Sequence, residues 1–183
     1  MSRLRRILKS YASYIAVPWR QDAAPPQRVV FCVYHEQDER RLRAMIGEFE
    51  IATRDAGHPW HLFDLTHTFP KWLTAQRYAT SYYKQPDKLN TLLPRYLDSI
   101  QAEFAAFLQE RGADGNTVVA LTGLGTIFGF LRVSELVETL APMVAGRLVV
   151  FFPGSYAEGR YRLLNAYDGW NYLATPITGT EDV

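Results

Sequence analysis

The apolar positions of this chain follow two patterns: mostly apolar runs, and a helical spacing of three and four residues. The runs occur at 28–34, 60–65, 117–121 and 148–152. Runs of this kind are typical of parallel strands that are covered on both faces. The stretches between them repeat their apolar residues at helical spacing. The pattern therefore predicts an α/β fold of three layers, in which helices flank a mostly parallel central sheet.

The same pattern predicts a single domain over residues 1–183. An amphipathic helix is expected within residues 1–17, a linker with three prolines at 18–27, and the core at 28–178. The core helices are predicted at residues 39–56, 69–83, 89–111 and 133–144.

Turn and cap residues mark the ends of these elements. Asp38, Thr68 and Ser134 are expected helix caps, because short polar side chains accept hydrogen bonds from the first free amides of a helix. The strand at 148–152 is expected to stop at a Pro-Gly pair. Asp168 and Gly169 separate two strand-like runs, which is a strong local signal for a β-hairpin. We therefore expect an antiparallel C-terminal hairpin at the sheet edge.

Glycines concentrate between the third predicted strand and the last predicted helix. Gly123, Gly125 and Gly129 leave room for a close backbone approach, and a helix N-terminus that follows such a turn favours an anion. The spacing is not that of a dinucleotide fingerprint, and no lysine is present for a terminal phosphate. Three interpretations stay open: internal packing, a partner-contact loop, or a nucleotide or anion site formed by Gly123, Gly125, Arg132 and Ser134. The unit resembles a degenerate nucleotide-binding sheet.

Charge and cysteine content narrow the class of protein. The net charge is +1, so the composition does not favour direct nucleic-acid binding. Cys32 is the only cysteine and lies in an apolar run, where it is expected to be a core residue. A chain without a disulfide framework fits the cytosol. No apolar run reaches the about 20 residues of a membrane span. The basic residues Arg3, Arg5, Arg6 and Lys9 form either a solvated helix face or a partner- or DNA-contacting arm.

Polar residues near the second strand give the remaining candidate chemistry. His58, His61 and His67 surround Asp64, but alternation along a strand points His61 and Asp64 to opposite faces, so no metal site is predicted. Asp64 with His67 is a weak acid–base pair or a loop cap. No catalytic triad, paired catalytic carboxylates or cofactor motif is present in the sequence, so we assign no catalytic residue and expect no cofactor.

Several motifs, taken in order, resemble the BrxB family of the BREX bacteriophage-exclusion systems of bacteria. They cover most of the chain, from about residue 11 to 178. The matching stretches share their order and spacing, and they lie at 29–34, 38–43, 47–50, 63–66, 125–130, 132–136, 149–154 and 161–164.

The resemblance implies a small non-catalytic component of a multi-protein defence complex. In such systems a DNA methyltransferase marks host DNA, and an AAA-type ATPase and the alkaline-phosphatase-like PglZ act beside it. The resemblance implies an adaptor that binds other BREX proteins, with PglZ as the expected partner and the methyltransferase or ATPase as alternatives. It would support both phage restriction and host methylation. A homodimer through exposed aromatics is left open.

The expected contact surface combines the glycine turn, the loop after the fourth strand and the C-terminal aromatics. The residues assigned to it share an aromatic or cationic side chain and are Phe128, Phe130, Arg132, Tyr156, Arg160 and Trp170, with Tyr167 and Tyr172 beside them. The family pattern leads us to expect an acidic residue after the Pro-Gly pair, where this chain has Ser155. If this loop touches the partner, the chemistry of the contact differs here.

Overall fold

A parallel sheet forms the centre of the molecule. The computed structural model describes residues 1–166 and 169–180. The strands are β1 (Val29–Tyr34), β2 (Trp60–Asp64), β3 (Val118–Thr122), β4 (Arg147–Ala157), β5 (Arg160–Leu163) and β6 (Thr175–Ile177). The helices are α1 (Arg3–Ile15), α2 (Glu39–Asp55), α3 (Thr68–Thr74), α4 (Ala79–Lys84), α5 (Leu93–Arg111) and α6 (Val133–Leu140).

The strand order is β2-β3-β4-β1-β6, and all neighbours in this path run parallel. In the centre, Phe31 of β1 is the partner of Val150 of β4. β5 pairs antiparallel with the last four residues of β4 and lies off the main path. The predicted three-layer α/β fold with an antiparallel pair at its edge is confirmed.

Alternate residues of each central strand belong to separate cores on the two faces of the sheet. Val30 and Cys32 pack with α1 and α2 on one face. Phe31 and Val33 pack with α3, α5 and α6 on the other. This alternation explains why the strands are apolar throughout, since both faces are covered. Cys32 is fully buried, as expected, and burial raises the pKa of its thiol.

β4 does not stop at Pro153 and Gly154 as predicted. It continues to Ala157 because it changes partners there: Pro153 is still beside Tyr34 of β1, and Gly154 already pairs with Leu163 of β5. The Pro153 carbonyl accepts a hydrogen bond from the Leu164 amide at 2.8 Å. Proline is tolerated at this junction because the ladder needs no amide from it.

The hairpin at the sheet edge turns at Glu158 and Gly159, both with positive φ. The predicted turn included Asp168, which lies outside the described residues, as does Tyr167. The two flanks of that predicted turn meet in one antiparallel bridge, from Tyr161 to Trp170. The second flank does not form the expected antiparallel strand, because its end pairs parallel with β1 as β6.

Three helix predictions need correction. The helix predicted at 69–83 is broken into α3 and α4, since the chain between Ala75 and Tyr78 leaves the helical path. α5 begins at Leu93, so Pro94 stands in its first turn, where proline is tolerated. α6 ends at Leu140 and continues only as a 3-10 turn.

The predicted caps act differently from expectation. Asp38 occupies the cap position of α2 but its side chain caps no amide. Thr68 is the first residue of α3, and its hydroxyl donates to the Leu65 carbonyl at 2.8 Å. Ser134 lies inside α6, whose cap position is held by Arg132.

The basic residues of α1 make intramolecular contacts. Arg3 donates to the carbonyl of Thr178 at 2.9 Å, and Arg6 donates to that of Gly179 at 2.6 Å. Arg5 pairs with Glu48 of α2. Three of the four cations proposed for a DNA- or partner-contacting arm therefore hold the domain together. Among the described residues, no helix combines the length and the apolarity that a membrane crossing requires.

Candidate partner-binding cleft

The glycine turn after β3 is packed into the domain. Leu124 and Ile127 are fully buried in a 3-10 turn. The turn also uses its own amides: Thr126 donates to the Gly123 carbonyl at 3.1 Å, and Phe130 donates to the Ile127 carbonyl at 2.9 Å. Amides engaged in this way are not directed at a phosphate.

Gly123 approaches a carboxylate of its own chain. Its φ is +80°, and a Cβ there would lie 2.7 Å from the Thr66 amide nitrogen and 2.8 Å from Asp64 Oδ1. The Asp64 carboxylate accepts hydrogen bonds from the Thr66 amide at 2.9 Å and from its hydroxyl at 2.5 Å. Arg43 of α2 donates to the Thr66 hydroxyl oxygen at 2.7 Å. The close approach predicted from the glycines exists, but its partner is the end of β2.

Asp64 therefore has a structural network around it. Partial burial acts to raise the pKa of Asp64, but the hydrogen bonds from Thr66 and the charge of Arg43 outweigh burial and lower it. The Arg43 guanidinium also forms a salt bridge with Glu39, in which Nε and Oε1 are 2.8 Å apart. This arrangement matches the loop-capping interpretation of Asp64. No contact to His67 accompanies it among the residues that the structure describes.

The histidines near β2 have separate surroundings. His58 stacks on Trp19, with ring centroids 3.7 Å apart, and its Nδ1 lies 2.7 Å from Asn116 Oδ1. Partial burial lowers the pKa of His61, and the charges of Arg111 and Arg54 act in the same direction. Within residues 1–166 and 169–180 no group of three potential metal ligands forms.

A cleft of about 1030 Å³ opens beside the glycine turn. One wall is the loop 128–132 with the first turn of α6. A second wall is β5 with the segment 169–171, and Phe152 of β4 also lines the cleft. The start of α5, with Leu93 and Leu97, closes a third side. We call this site the aromatic cleft, because five of its lining residues are aromatic, namely Phe128, Phe130, Phe152, Tyr161 and Trp170.

The loop wall of the cleft is fixed by one aromatic stack. Phe130 stacks on Phe69 of α3, with ring centroids 3.8 Å apart and planes 15° apart. Phe69 in turn packs against Tyr96 of α5, at 5.2 Å. The preceding aromatic residue in the wall, Phe128, stacks on no ring within the described part of the chain and keeps 43% of its surface exposed. The loop thus presents one anchored ring and one free ring.

The strand wall is continuous with the core. Tyr161 of β5 is buried and packs against Phe31 of the central strand at 4.3 Å and against Trp170 at 5.9 Å. Tyr156 of β4, the cross-strand partner of Tyr161, packs beside it with ring centroids 4.6 Å apart. Burial raises the pKa of Tyr161, whose hydroxyl donates to the Ala174 carbonyl at 3.3 Å.

The structure brings four of the six predicted partner-contact residues to the cleft, namely Phe128, Phe130, Arg132 and Trp170. Tyr156 does not line the cleft but is the cross-strand partner of Tyr161. Arg160 lies next to Gly169: a Cβ on that glycine would be 3.1 Å from the Cβ of Arg160. Arg132 is exposed and, within the described part of the chain, pairs with no carboxylate.

The residues of the alternative nucleotide or anion site do not converge. Arg132 and Ser134 line the cleft, whereas Gly123 lies against Asp64 and Thr66. Gly125 faces Pro153.

Sequence reasoning missed the contribution of α5 and of Phe152 to this site. Leu93 and Leu97 are four residues apart and only half-buried, so their apolar spacing is the signal that was available. Phe152 is indistinguishable from the other core positions of its strand without the fold.

A scan against protein families found a match to the family described as BREX protein BrxB over residues 65–176. This chain belongs to the BrxB family. Comparison with curated proteins and with solved structures gave no match. BrxB membership makes the protein a component of a BREX phage-defence system. The matched stretch begins just after β2 and ends within β6, so it contains all residues that line the aromatic cleft.

Proposed function

We propose that this BrxB protein is a non-catalytic adaptor that docks another BREX protein, PglZ, in the aromatic cleft. The observation that carries the proposal is the convergence of Phe128, Phe130, Arg132 and Trp170 on one open cleft. Aromatic residues and arginine are enriched in protein interfaces and dominate their energetics. Through its partners the adaptor supports phage restriction and host methylation.

The form of the cleft suits an anchoring side chain of a partner. Its volume of about 1030 Å³ lies at the upper end of ordinary ligand pockets, about 300–1,000 Å³. The exposed ring of Phe128 and the half-buried ring of Trp170 offer apolar area on two different walls. A large apolar side chain inserted between them would displace water from both.

Polar groups surround this apolar centre. Asp98 of α5, Arg132 and Glu135 line the same cleft and are exposed to solvent. Interfaces commonly combine a dry centre with a polar rim that fixes orientation. The rim carries both positive and negative charges. It can therefore fix the orientation of the partner as well as attract it.

Co-purification tests the adaptor function directly. The protein is tagged and co-expressed with its neighbouring genes, and the eluate is analysed by mass spectrometry and size-exclusion light scattering. A complex of fixed stoichiometry with PglZ is the expected result. A complex with the methyltransferase or the ATPase would show that this protein, and not PglZ, is the partner. Elution as a free monomer or homodimer would contradict the adaptor function.

A double variant tests whether the cleft is the docking surface. Arg132→Ala with Trp170→Ala should weaken capture of the partner about tenfold or more, because both residues line the cleft and truncated anchor residues cost about 2 kcal/mol. The matched control is Arg40→Ala with Tyr14→Ala on the opposite layer, where the arginine is likewise exposed and the tyrosine half-buried. Equal capture by both folded double variants would remove the cleft from the proposal.

Calorimetric titration separates the adaptor from the alternative of a regulatory nucleotide or anion binder. ATP, GTP and inorganic phosphate are titrated into the purified chain. An adaptor should give no saturable heat with any of them. Saturable binding that is lost in Arg132→Ala would favour the alternative.

A further inference from the structure

The small net charge conceals an uneven distribution. Between Asp64 and Asp98 the chain carries five of its 20 lysines and arginines but only one of its 19 acidic residues, Asp87. The five cations are Lys71, Arg77, Lys84, Lys88 and Arg95. This concentration is a local property, so the overall charge gives no sign of it.

The fold packs most of this stretch together on the outside of the domain. α4 contacts the 3-10 turn Pro86–Thr91, and that turn contacts α5. All five cations are exposed. Lys71 pairs with Glu103 at 3.4 Å, whereas the other four form no salt bridge with any residue in 1–166 or 169–180. Four cationic side chains are therefore available to an external anion.

Tyrosines stand among these cations. Tyr78 and Tyr83 each keep 59% of their surface exposed, while Tyr82 between them packs against the core and anchors α4. The guanidinium of Arg77 lies 5.4 Å from the centroid of the Tyr78 ring. Exposed rings next to cations are the combination that binds single-stranded nucleic acid, because bases stack on the rings while cations neutralise phosphates.

We propose that Arg77, Tyr78, Tyr83, Lys84, Lys88 and Arg95, the basic tyrosine surface, bind single-stranded nucleic acid without sequence preference. An acidic protein as ligand would pair with the cations, but it would leave the two largely exposed rings of Tyr78 and Tyr83 without a role. Duplex DNA would use the cations but hides the base faces from the tyrosines. Single strands engage both. This surface is distinct from the α1 arginines, which hold the C-terminal segment and α2.

Fluorescence anisotropy with a labelled oligothymidine of about 30 nucleotides tests the proposal, since this length exceeds the site size of known single-strand binders. Contacts to as many as four phosphates predict a slope of log affinity against log salt near −3, because single strands give about −0.7 per contact. Affinity should therefore fall about 50-fold between about 50 and 200 mM salt. A labelled duplex of the same length should bind more weakly.

Two pairs of variants separate the roles of charge and ring. Lys84→Glu with Lys88→Glu should weaken binding and reduce the salt slope to about half, because two of four contacts are lost. Tyr78→Ala with Tyr83→Ala should weaken binding about tenfold or more at unchanged slope, because stacking releases no counterions. The matched control is Lys9→Glu with Arg40→Glu, exposed cations on the layer formed by α1 and α2. It changes net charge equally and should leave affinity within about twofold.

Thermal melting confirms that each variant is folded. Absence of binding by the natural chain at about 50 mM salt overturns the proposal. Equal losses in the control and in the Lys84/Lys88 variant overturn it as well, because binding then reflects total charge. A different outcome would assign the surface to an acidic protein instead. In that case the natural chain binds no oligonucleotide, and the Lys84/Lys88 variant no longer co-purifies with a BREX protein that the natural chain retains.

Discussion

The rings of Phe69 and Phe130 stack almost parallel, with centroids 3.8 Å apart and an interplanar angle of 15°. The stack joins α3 to the loop that forms one wall of the aromatic cleft. It is the contact that fixes where Phe128 and Arg132 stand, since these two exposed side chains lie two residues to either side of Phe130.

The Phe69–Phe130 stack should appear as a coupling energy. Phe69→Leu and Phe130→Leu keep apolar volume but remove the stacked pair, so a double-mutant cycle should give about 0.5–1.5 kcal/mol of coupling in the free energy of unfolding. Urea denaturation measures it. Each single variant should also lower capture of the BREX partner, because the loop loses its anchor. Strictly additive unfolding energies would show that the rings merely lie near each other.

Gly123→Ala should be more destabilising than Gly129→Ala. Both glycines have positive φ, +80° and +83°, so both substitutions carry backbone strain of about 1 kcal/mol. Only the Cβ at Gly123 would meet neighbours, Thr66 and Asp64, within 3 Å, whereas the position at Gly129 is open. We expect the free energy of unfolding to fall by about 3 kcal/mol in Gly123→Ala and by about 1 kcal/mol in Gly129→Ala. Urea denaturation of the two variants checks the difference, and equal losses would contradict the crowding at Gly123.

Asp64→Asn should change the pH dependence of stability in acid. The pKa of Asp64 is lowered in the folded chain, so its unfolded form binds the proton first as pH falls. Its contribution is fully present above the unfolded pKa of about 3.9 and is lost as pH falls through the lower folded pKa. The stability difference between the natural chain and Asp64→Asn should therefore shrink below about pH 4. Asparagine keeps an acceptor for Thr66, so the variant isolates the charge.

Urea denaturation at several pH values measures this difference. Asp22→Asn is a useful companion, because the exposed carboxylate of Asp22 pairs with Arg20, which is exposed as well. It should alter stability little at any pH. A difference at Asp64→Asn that stays constant between about pH 7 and 3 would show that the charge of Asp64 contributes nothing.

Trp19→Ala, a substitution in the linker, should destabilise the domain. Arg147 is 94% buried, its guanidinium lies 4.7 Å from the Trp19 ring centroid, and it donates to the Arg20 carbonyl at 3.3 Å. Removing the ring would expose the Arg147 guanidinium, whose contacts depend on that ring. The free energy of unfolding should fall by about 2–3 kcal/mol. Trp19→Phe keeps a ring face and should lose about half as much. Thermal melting with urea denaturation compares the two; equal losses would rule out the ring face as the stabilising feature.

The fold was largely predictable because its strands are buried on both faces. β1 and α2 lie within a residue of the predicted bounds, since apolar runs and helical spacing determine them locally. The path of β4 through Pro153 and Gly154 was not predictable. A Pro-Gly pair normally ends a strand, and only the exchange of partners from β1 to β5 lets this one continue.

The candidate site was predictable in its residues more than in its shape. Phe130 and Trp170 stood out as aromatic residues near glycines, but the sequence does not contain the information that α5 closes the cleft beside them. Gly123 is the converse case. Its need for a close approach was visible, yet the approaching group, Asp64, lies 59 positions earlier and is recognisable only when β2 and β3 are neighbours.

The passage of β4 from the central sheet into the hairpin has a consequence for binding. The strand wall of the cleft, β5, is hydrogen-bonded to the end of β4, a strand whose first half is hydrogen-bonded on both sides, and at the junction a Cβ on Gly154 would overlap the Arg162 carbonyl oxygen. The wall is therefore preorganised. A partner that docks against it meets a backbone with little conformational entropy left to lose, so more of the contact energy is available as affinity.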